Sequence, residues 1–438
     1  MPLTNFKNHI NQNFPFLKES KIIIAISGGL DSVVLSHLCK ALDLSFVLAH
    51  CNFNLRGEES DKDEAFVLNL AEELDVECFV QNFDTNAYAE LHKVSIQMAA
   101  RELRYDWFQD LVEQLNFDYI LTAHHADDNL ETFLINFTRG TGINGLTGIP
   151  AINNNIVRPL LMFSREAIET YARANEIQWR EDLSNNSRKY LRNKLRHEVV
   201  PILKEINPQL LDSFKQTIDN LKGTEAIANH HIDAFKKRAE VTSNYAITAY
   251  KISEFKALDS PKPYLFELFK TYGFTEWNDV LDLLEAQSGK YVQSNTHRLI
   301  KHRDVILLAE LNIDTHLPIS ITKSETCVEA PFGELHFETV SAITGNLDLE
   351  VYLDKTQLKF PLTLRIWKEG DVFQPSGMQG KKKISKYLKD EKASLLEKEN
   401  TWVLTSKDKI VWVVGKRMDE RFKVSDTTTQ ILKIIMKK

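Results

Sequence analysis

Six residues, Lys21-Ile22-Ile23-Ile24-Ala25-Ile26, run directly into Ser27-Gly28-Gly29-Leu30-Asp31-Ser32 and then into a helical pattern. A short β-branched run with no polar alternation is the mark of a strand buried on both faces. Such a strand needs helices above and below it, so it fixes the fold class early. The following 100 residues keep that rhythm. Strand signals at 45–50, 76–81 and 118–123 alternate with helical patterns at 31–42, 58–74, 87–115 and 127–138. In the long 87–115 pattern, Ile96, Ala100, Leu103, Trp107 and Leu111 make one apolar stripe. This order predicts an α/β, Rossmann-like parallel sheet with helices on both faces. Ligands of such sheets sit at the carboxyl ends of the strands.

Gly140, Gly142, Gly145 and Gly148 interrupt the pattern, and helical signals return at 164–177 and 190–204. The first domain is drawn at 1–215. A mainly helical domain follows over 216–310, with weak strand signals near 291–308. A strand-rich connector covers 311–350. A small α+β domain is expected over 351–438, its strands surrounding one basic helix. Trp402 and Trp412 fall in strand patterns and read as core.

The loop at 27–32 lies between a buried strand and a helix, which matters more than its letters. Paired glycines let the backbone turn so that N–H groups converge on an oxyanion. Ser27 and Ser32 add hydroxyls, and the helix start adds a positive dipole end. Asp31 repels phosphate directly. It either caps the helix or meets the phosphates through Mg²⁺. The GK[ST] of a Walker A loop is missing, so a P-loop NTPase is excluded.

Two further segments arrive at the same sheet edge. His50-Cys51-Asn52 ends the second strand. His124-His125-Ala126-Asp127-Asp128-Asn129-Leu130-Glu131 follows the fourth. His124 and Asp128 are four apart, as are Asp127 and Glu131. These acidic groups either favour the helix start by about 0.3–1 kcal/mol each or hold Mg²⁺ beside a histidine. HExxH is absent, which argues against zinc.

The net charge is -7, so an RNA surface must be a local patch. Arg188, Arg192 and Arg196 share one helix face; Arg101, Arg104 and Arg139 lie off the apolar pattern. Lys381, Lys382, Lys383, Lys386, Lys389 and Lys392 gather around the basic helix. Each group is either a solvated face or a phosphate contact. Cys39, Cys51, Cys78 and Cys327 form no CxxC; the first three read as buried thiols. The polar N-terminus and short apolar runs give no signal peptide and no membrane partner, so a cytoplasmic protein is expected.

SGGLDS resembles the pyrophosphatase loop of N-type ATP pyrophosphatases. Together with HCNFNLRGEES, AARELRY, LTAHHADDNLET, FTRGTGINGLTGI, RPLL, DLSN and YLRNKLRHEVVPIL, it resembles the tRNA(Ile)-lysidine synthase family across most of residues 20–205. A second block at 367–424 resembles that family's C-terminal domain. Two departures stand out. Phe53-Asn54 replaces a frequent His-Gly, and Asn129 replaces a common Gln.

The resemblance implies that ATP adenylates the C2 oxygen of the wobble cytidine in the CAU-anticodon isoleucine tRNA. L-lysine then displaces AMP to form lysidine. It implies ATP contacts at Ser27, Gly28, Gly29, Leu30, Asp31, Ser32, His50, Asn52 and Arg139. It implies a Mg²⁺ site at Asp31, Asp127 and Asp128, and catalytic roles for Asp31, His124, Asp128 and Glu131. It implies tRNA contacts at Arg192, Arg196, Lys381, Lys382, Lys383 and Lys386. A homodimer stays open. Two alternatives also stay open: another adenylating tRNA-modifying enzyme such as a thiolase, against which the missing CxxC argues, and an inactive tRNA-binding protein.

Overall fold

The computed structural model describes residues 3–181, 191–244, 247–311, 317–344 and 350–437. Arg188 and the segment 182–185 lie outside them. The chain divides into two compact units, residues 1–229 and 230–438.

The first unit opens with helix α1 (Leu3–Asn13), then β1 (Ile22–Ala25), α2 (Leu30–Ala41), β2 (Phe46–Asn52), α3 (Glu58–Leu74) and β3 (Cys78–Asn82). Helices α4 (Thr85–His92) and α5 (Ile96–Leu115) precede β4 (Tyr119–Leu121) and α6 (Ala126–Arg139). After α7 (Ile143–Leu146) come β5 (Ile152–Asn153), β6 (Ile156–Val157) and α8 (Arg165–Ala174). The sheet order is β3-β2-β1-β4-β6-β5, parallel except for the β5–β6 pair.

The uninterrupted apolar run at 22–24 now has its reason. Ile22 and Ile24 pack with α1, α2 and α8 on one face, while Ile23 packs with Phe108 and Leu111 of α5 on the other. Because β1 pairs with both β2 and β4, the strand order reverses there. The crevice that ligands use therefore opens at the carboxyl ends of β1 and β4.

The single helix expected over 87–115 is two. Lys93 adopts a left-handed conformation (φ 55), and the Ser95 hydroxyl caps α5 by accepting from the Met98 N–H at 3.2 Å. A local cap overrides the running period. The apolar stripe is displaced as well. Ala99, Phe108 and Leu111 are buried, whereas Ile96 is 45% exposed.

The helix predicted at 190–204 is described from residue 191. It runs as α9 (Leu191–Lys194), a π-helical turn (Leu195–Val199) and α10 (Val200–Ile206). Helix α11 (Leu210–Ala239) follows.

In the second unit, β7 (Glu240–Asn244), β8 (Ile247–Lys251), β9 (Tyr291–Gln293), β10 (His297–His302) and β11 (Val305–Glu310) form an antiparallel sheet ordered β7-β8-β11-β10-β9. It packs with α12 (Ile252–Lys256), α13 (Pro261–Phe269) and α14 (Trp277–Asp282) around Phe235, Phe255 and Phe269. The helical region thus carries a five-stranded sheet, of which the sequence showed only a trace.

Strands β12 (Ile319–Ile321), β13 (Cys327–Ala330) and β14 (Gly333–Val340) occupy the stretch read as a connector. They are not a connector. β12 pairs with β16 (Leu362–Ile366), and β14 pairs with β21 (Ile431–Lys437), which also pairs with β15 (Glu350–Asp354). Strands β19 (Trp402–Ser406) and β20 (Lys409–Val413) complete the β12-β16-β19-β20 sheet. The two four-stranded sheets share one core that includes Leu335, Leu364, Leu404 and Ile434. Trp402 and Trp412 lie in that core, 4% and 2% exposed. The hairpin of β17 (Val372–Phe373) and β18 (Lys382–Lys383) leads into the basic helix α15 (Ile384–Asp390), with α16 (Leu395–Glu399) after it.

Candidate active site

Leaving β1, the chain turns at Gly28, whose φ of +83° no other residue adopts without strain. Ser32 ties the turn. Its hydroxyl donates to the Gly29 carbonyl at 3.0 Å and accepts from the Ser27 N–H at 3.2 Å. No side chain caps the first turn of α2. Asp31 is therefore not the cap; its carboxylate pairs with Arg165 instead. That leaves the uncapped N-terminus of α2 to face an anion. The loop is also held from outside. The Arg180 N–H donates to the Gly28 carbonyl at 3.0 Å, while its guanidinium pairs with Asp63 and, at 2.8 Å, with Glu59.

The second part of the site is the acidic start of α6. His125, 1% exposed, is its N-cap. The His125 Nδ1 accepts from the Asp128 N–H at 3.3 Å, and the Asp128 carboxylate accepts from the His125 N–H at 3.1 Å. With Nδ1 accepting, the neutral ring carries its proton on Nε2, an assignment made from the hydrogen-bond pattern. Nε2 lies 3.3 Å from Asp128 Oδ2 and 3.8 Å from Asp31 Oδ2. One imidazole thus joins the glycine loop to the acidic helix.

Cations from α8 and from the α9–α10 stretch cover these carboxylates. Arg165 of α8 meets Asp31 at 2.8 Å. Lys204 of α10 meets Asp127 at 2.6 Å. Arg196 holds Glu131 at 2.6 and 3.0 Å and reaches Asp128 at 3.0 Å. Arg192 lies 3.1 Å from Glu131 and donates to Thr132 at 2.7 Å. Burial pushes Asp31 and Glu131 above the ordinary carboxylate range, outweighing their cations. Burial acts on Asp127 too, but the Arg165 N–H and Lys204 hold it low. On Asp128, burial is outweighed by His125, His124 and Arg196, so it also stays low.

The expected residues separate accordingly. Asp31, Asp128 and Glu131 come together. Asp127 does too, but both its oxygens are engaged, by Lys204 and by the Arg165 N–H. By contrast, Asp31 Oδ1 is buried without any hydrogen-bond donor. A bare buried carboxylate oxygen fits a divalent cation. Asp31, with Asp128 beside it, is the pair suited to hold Mg²⁺.

His124 stands aside. Its Nδ1 bonds Thr122 at 3.0 Å, and burial together with Arg158 and Arg192 lowers its pKa to about 4 against the pull of Asp128. His50 Nδ1 bonds the Ile26 carbonyl at 2.9 Å, and Asn52 bonds Glu64 at 2.8 Å. His50 thus holds the strand end that leads into the loop, while Asn52 ties the end of β2 to α3. Arg139 ends α6, about 16 Å along the axis from Asp128. Arg192 and Arg196, expected at the tRNA, pair with Glu131 and Asp128.

In the second unit, Lys381, Lys383 and Lys386 are exposed on the outside of α15 and its approach, while Ile384, Tyr387 and Leu388 are buried beneath. Lys382 is spent on Asp390 at 2.8 Å. Sequence reading passed over His125, Arg165, Arg180 and Lys204. His125 had a signal, its place just ahead of the helix start. The three cations lie outside the motif's own helix and had none.

Models of a PP-loop domain, a TilS substrate binding domain and a TilS substrate C-terminal domain match residues 2–203, 243–311 and 362–434. The chain is 40% identical to tRNA(Ile)-lysidine synthase of Parabacteroides distasonis, over 96% of this chain and 97% of that one. It is 37% identical to tRNA(Ile)-lysidine synthase of Bacteroides thetaiotaomicron, over 97% of both. Identity to that of Clostridium tetani is 30%, over 95% of this chain and 94% of that one. The chain belongs to the tRNA(Ile)-lysidine synthase family.

Proposed function

We propose that this protein forms lysidine on isoleucine tRNA, using ATP to adenylate the wobble cytidine and L-lysine to displace AMP. The observation that carries the mechanism is the His125 bridge, which sets the phosphate loop and the acidic helix start within one imidazole of each other. An adenylating site needs both: one to hold a triphosphate, the other to receive an amine.

The N–H groups at the start of α2 and the Ser27 and Ser32 hydroxyls receive the phosphates. Asp31 and Asp128 would hold Mg²⁺, which would supply positive charge to the leaving pyrophosphate. Arg165 fixes Asp31 through its Oδ2 and leaves Oδ1 bare. The anticodon loop is single-stranded, so its target base can leave the stack at low cost.

The incoming lysine must lose a proton before it attacks. Asp128, held low, stays ionised and attracts the ammonium. Its carboxylate is also the group placed to take up the proton, because both oxygens of Glu131 are held by Arg196, which Glu131 keeps beside Asp128. The exposed lysines of α15 and its approach suit an RNA backbone.

A thiolase reading that uses the half-buried thiols of the first unit is disfavoured. Burial raises Cys51 to about 12 and Cys78 to about 11, so neither supplies a thiolate at neutral pH.

The test is digestion of CAU-anticodon tRNA after incubation with ATP, Mg²⁺ and labelled lysine. The label should appear in the wobble nucleoside. A tRNA free of lysine would overturn the proposal.

A further inference from the structure

Strand β13 forms an edge of the β13-β14-β21-β15 sheet and pairs antiparallel with β14. Side chains alternate between the two faces of such a ladder, so the register tells which residues share a face. Val328 lies opposite Leu335, and both are buried, 8% and 0% exposed. Their neighbours therefore point the other way. Cys327 lies opposite His336, and Glu334 precedes His336 by two residues on the same strand. Thiol, imidazole and carboxylate thus share the solvent side of one hairpin, although Cys327 and His336 are nine residues apart in sequence.

The three side chains converge. His336 Nε2 lies 2.8 Å from Glu334 Oε2 and 3.9 Å from Cys327 Sγ, and the three atoms all fall within 4.8 Å of one another. Around a tetrahedral zinc, ligands at their usual bond lengths stand about 3.4–3.6 Å apart. The observed separations bracket that value, so small side-chain movements close the set. Charge points the same way. Glu329 lies directly opposite Glu334, and like charges at facing positions destabilise a ladder. Lys437 faces Glu334 from β21, yet among the described residues no lysine or arginine pairs with either glutamate. A cation held on this face relieves the repulsion.

The donors select the ion. Thiolate and imidazole suit a borderline-soft cation, whereas Mg²⁺ takes hard oxygen ligands. Three protein ligands leave the fourth tetrahedral position to water.

We propose that Cys327, Glu334 and His336 bind one Zn²⁺ on the β13–β14 hairpin. The Cys327 thiol gives up its proton to solvent as the ion binds. The ion then joins the edge strand to its neighbour through side chains as well as through the ladder. None of the three residues belongs to the acidic cluster of the first unit, and the proposal stands apart from the lysine-transfer reading.

The experiment titrates the reduced full-length protein with Co²⁺, with excess Mg²⁺ present to compete at carboxylate sites. A sulfur-to-cobalt charge-transfer band should rise to one equivalent and be bleached by Zn²⁺. C327S should abolish the band. H336Q and E334Q should each weaken Zn²⁺ binding roughly 10- to 100-fold, at least the cost of losing a group that only orients a metal ligand. Zn²⁺ should also slow alkylation of Cys327 by iodoacetamide, read by peptide mapping. All three side chains project away from the core, so the variants keep the fold.

The absence of a band in the wild-type protein would overturn the proposal. So would a band that survives in C327S, or a Zn²⁺ affinity unchanged by H336Q or by E334Q.

Discussion

Arg196→Met tests whether the acidic cluster depends on the cations brought to it. The substitution removes three contacts at 2.6, 3.0 and 3.0 Å, two to Glu131 and one to Asp128. Glu131 is 1% exposed, so no water replaces them. Breaking a buried pair by removing one member costs about 3–5 kcal/mol. Arg192, 3.1 Å from the same carboxylate, remains, so we place the loss at about 2–4 kcal/mol. Most of it reflects the stranded carboxylate rather than the lost bonds, and that distinction is measurable. Glu131→Gln in the R196M background leaves nothing charged to strand and should recover at least half of the loss. The assay is urea unfolding of the four proteins of the cycle, followed by a probe in residues 1–229. A loss under about 1 kcal/mol for R196M, or no recovery in the double variant, would refute the reasoning.

Three further outcomes follow from the geometry. Gly148→Ala should lower stability by about 2–4 kcal/mol in thermal or urea unfolding. The reasons are its φ of +75°, a new Cβ 2.3 Å from Asn129 Oδ1, and the 2.6 Å bond from Ile149 N–H to that oxygen; a change within 0.5 kcal/mol (about the noise of surface substitutions) would contradict it. His124 drops from its ordinary 6.5 to about 4 in the fold. Its contribution is therefore fully present above pH 6.5 and is lost as the pH falls toward 4, about 3 kcal/mol in all. His124→Gln should flatten the stability profile in that window, and an unchanged slope would remove the claim. Replacing Lys381, Lys383 and Lys386 together by Ala should weaken tRNA binding and reduce its salt slope by up to about three units, with Lys382, already paired, mattering least. A salt slope equal to wild type would return the lysines to a solvated face.

The reach of the sequence can be read from particular residues. β1 was legible because both its faces are covered, which removes polar residues from every position. The loop at 27–32 was legible because a turn with positive φ demands glycine in a fixed place. The acidic start of α6 was visible too, although the capping role of His125 was not. Spacing drew attention to His124, four residues before Asp128, whereas the residue directly ahead of the helix, His125, is the cap.

Arg165, Lys204 and Arg180 were not legible at all. They meet partners 134, 77 and 117 residues away, contacts that local periodicity does not encode. The strands at 319–340 were read, yet their pairing with β16 and β21 was not. Register with a distant strand is set by the shared core, here the faces carrying Leu335, Leu364 and Ile434. The same limit hid the role of Arg192 and Arg196. Four-residue spacing announces a common face and says nothing about whether RNA or a neighbouring helix receives it.

The central claim is that one site carries out adenylation first and amine transfer second. It is tested most directly by leaving lysine out. With α-phosphate-labelled ATP and tRNA alone, the label should pass to the tRNA with release of pyrophosphate. Lysine added afterwards should chase the label off as AMP while entering the tRNA itself. Asp31→Ala should abolish the first step with tRNA affinity nearly intact. Lysine entering the tRNA with no labelled intermediate, or ADP and phosphate appearing in place of AMP and pyrophosphate, would contradict the account.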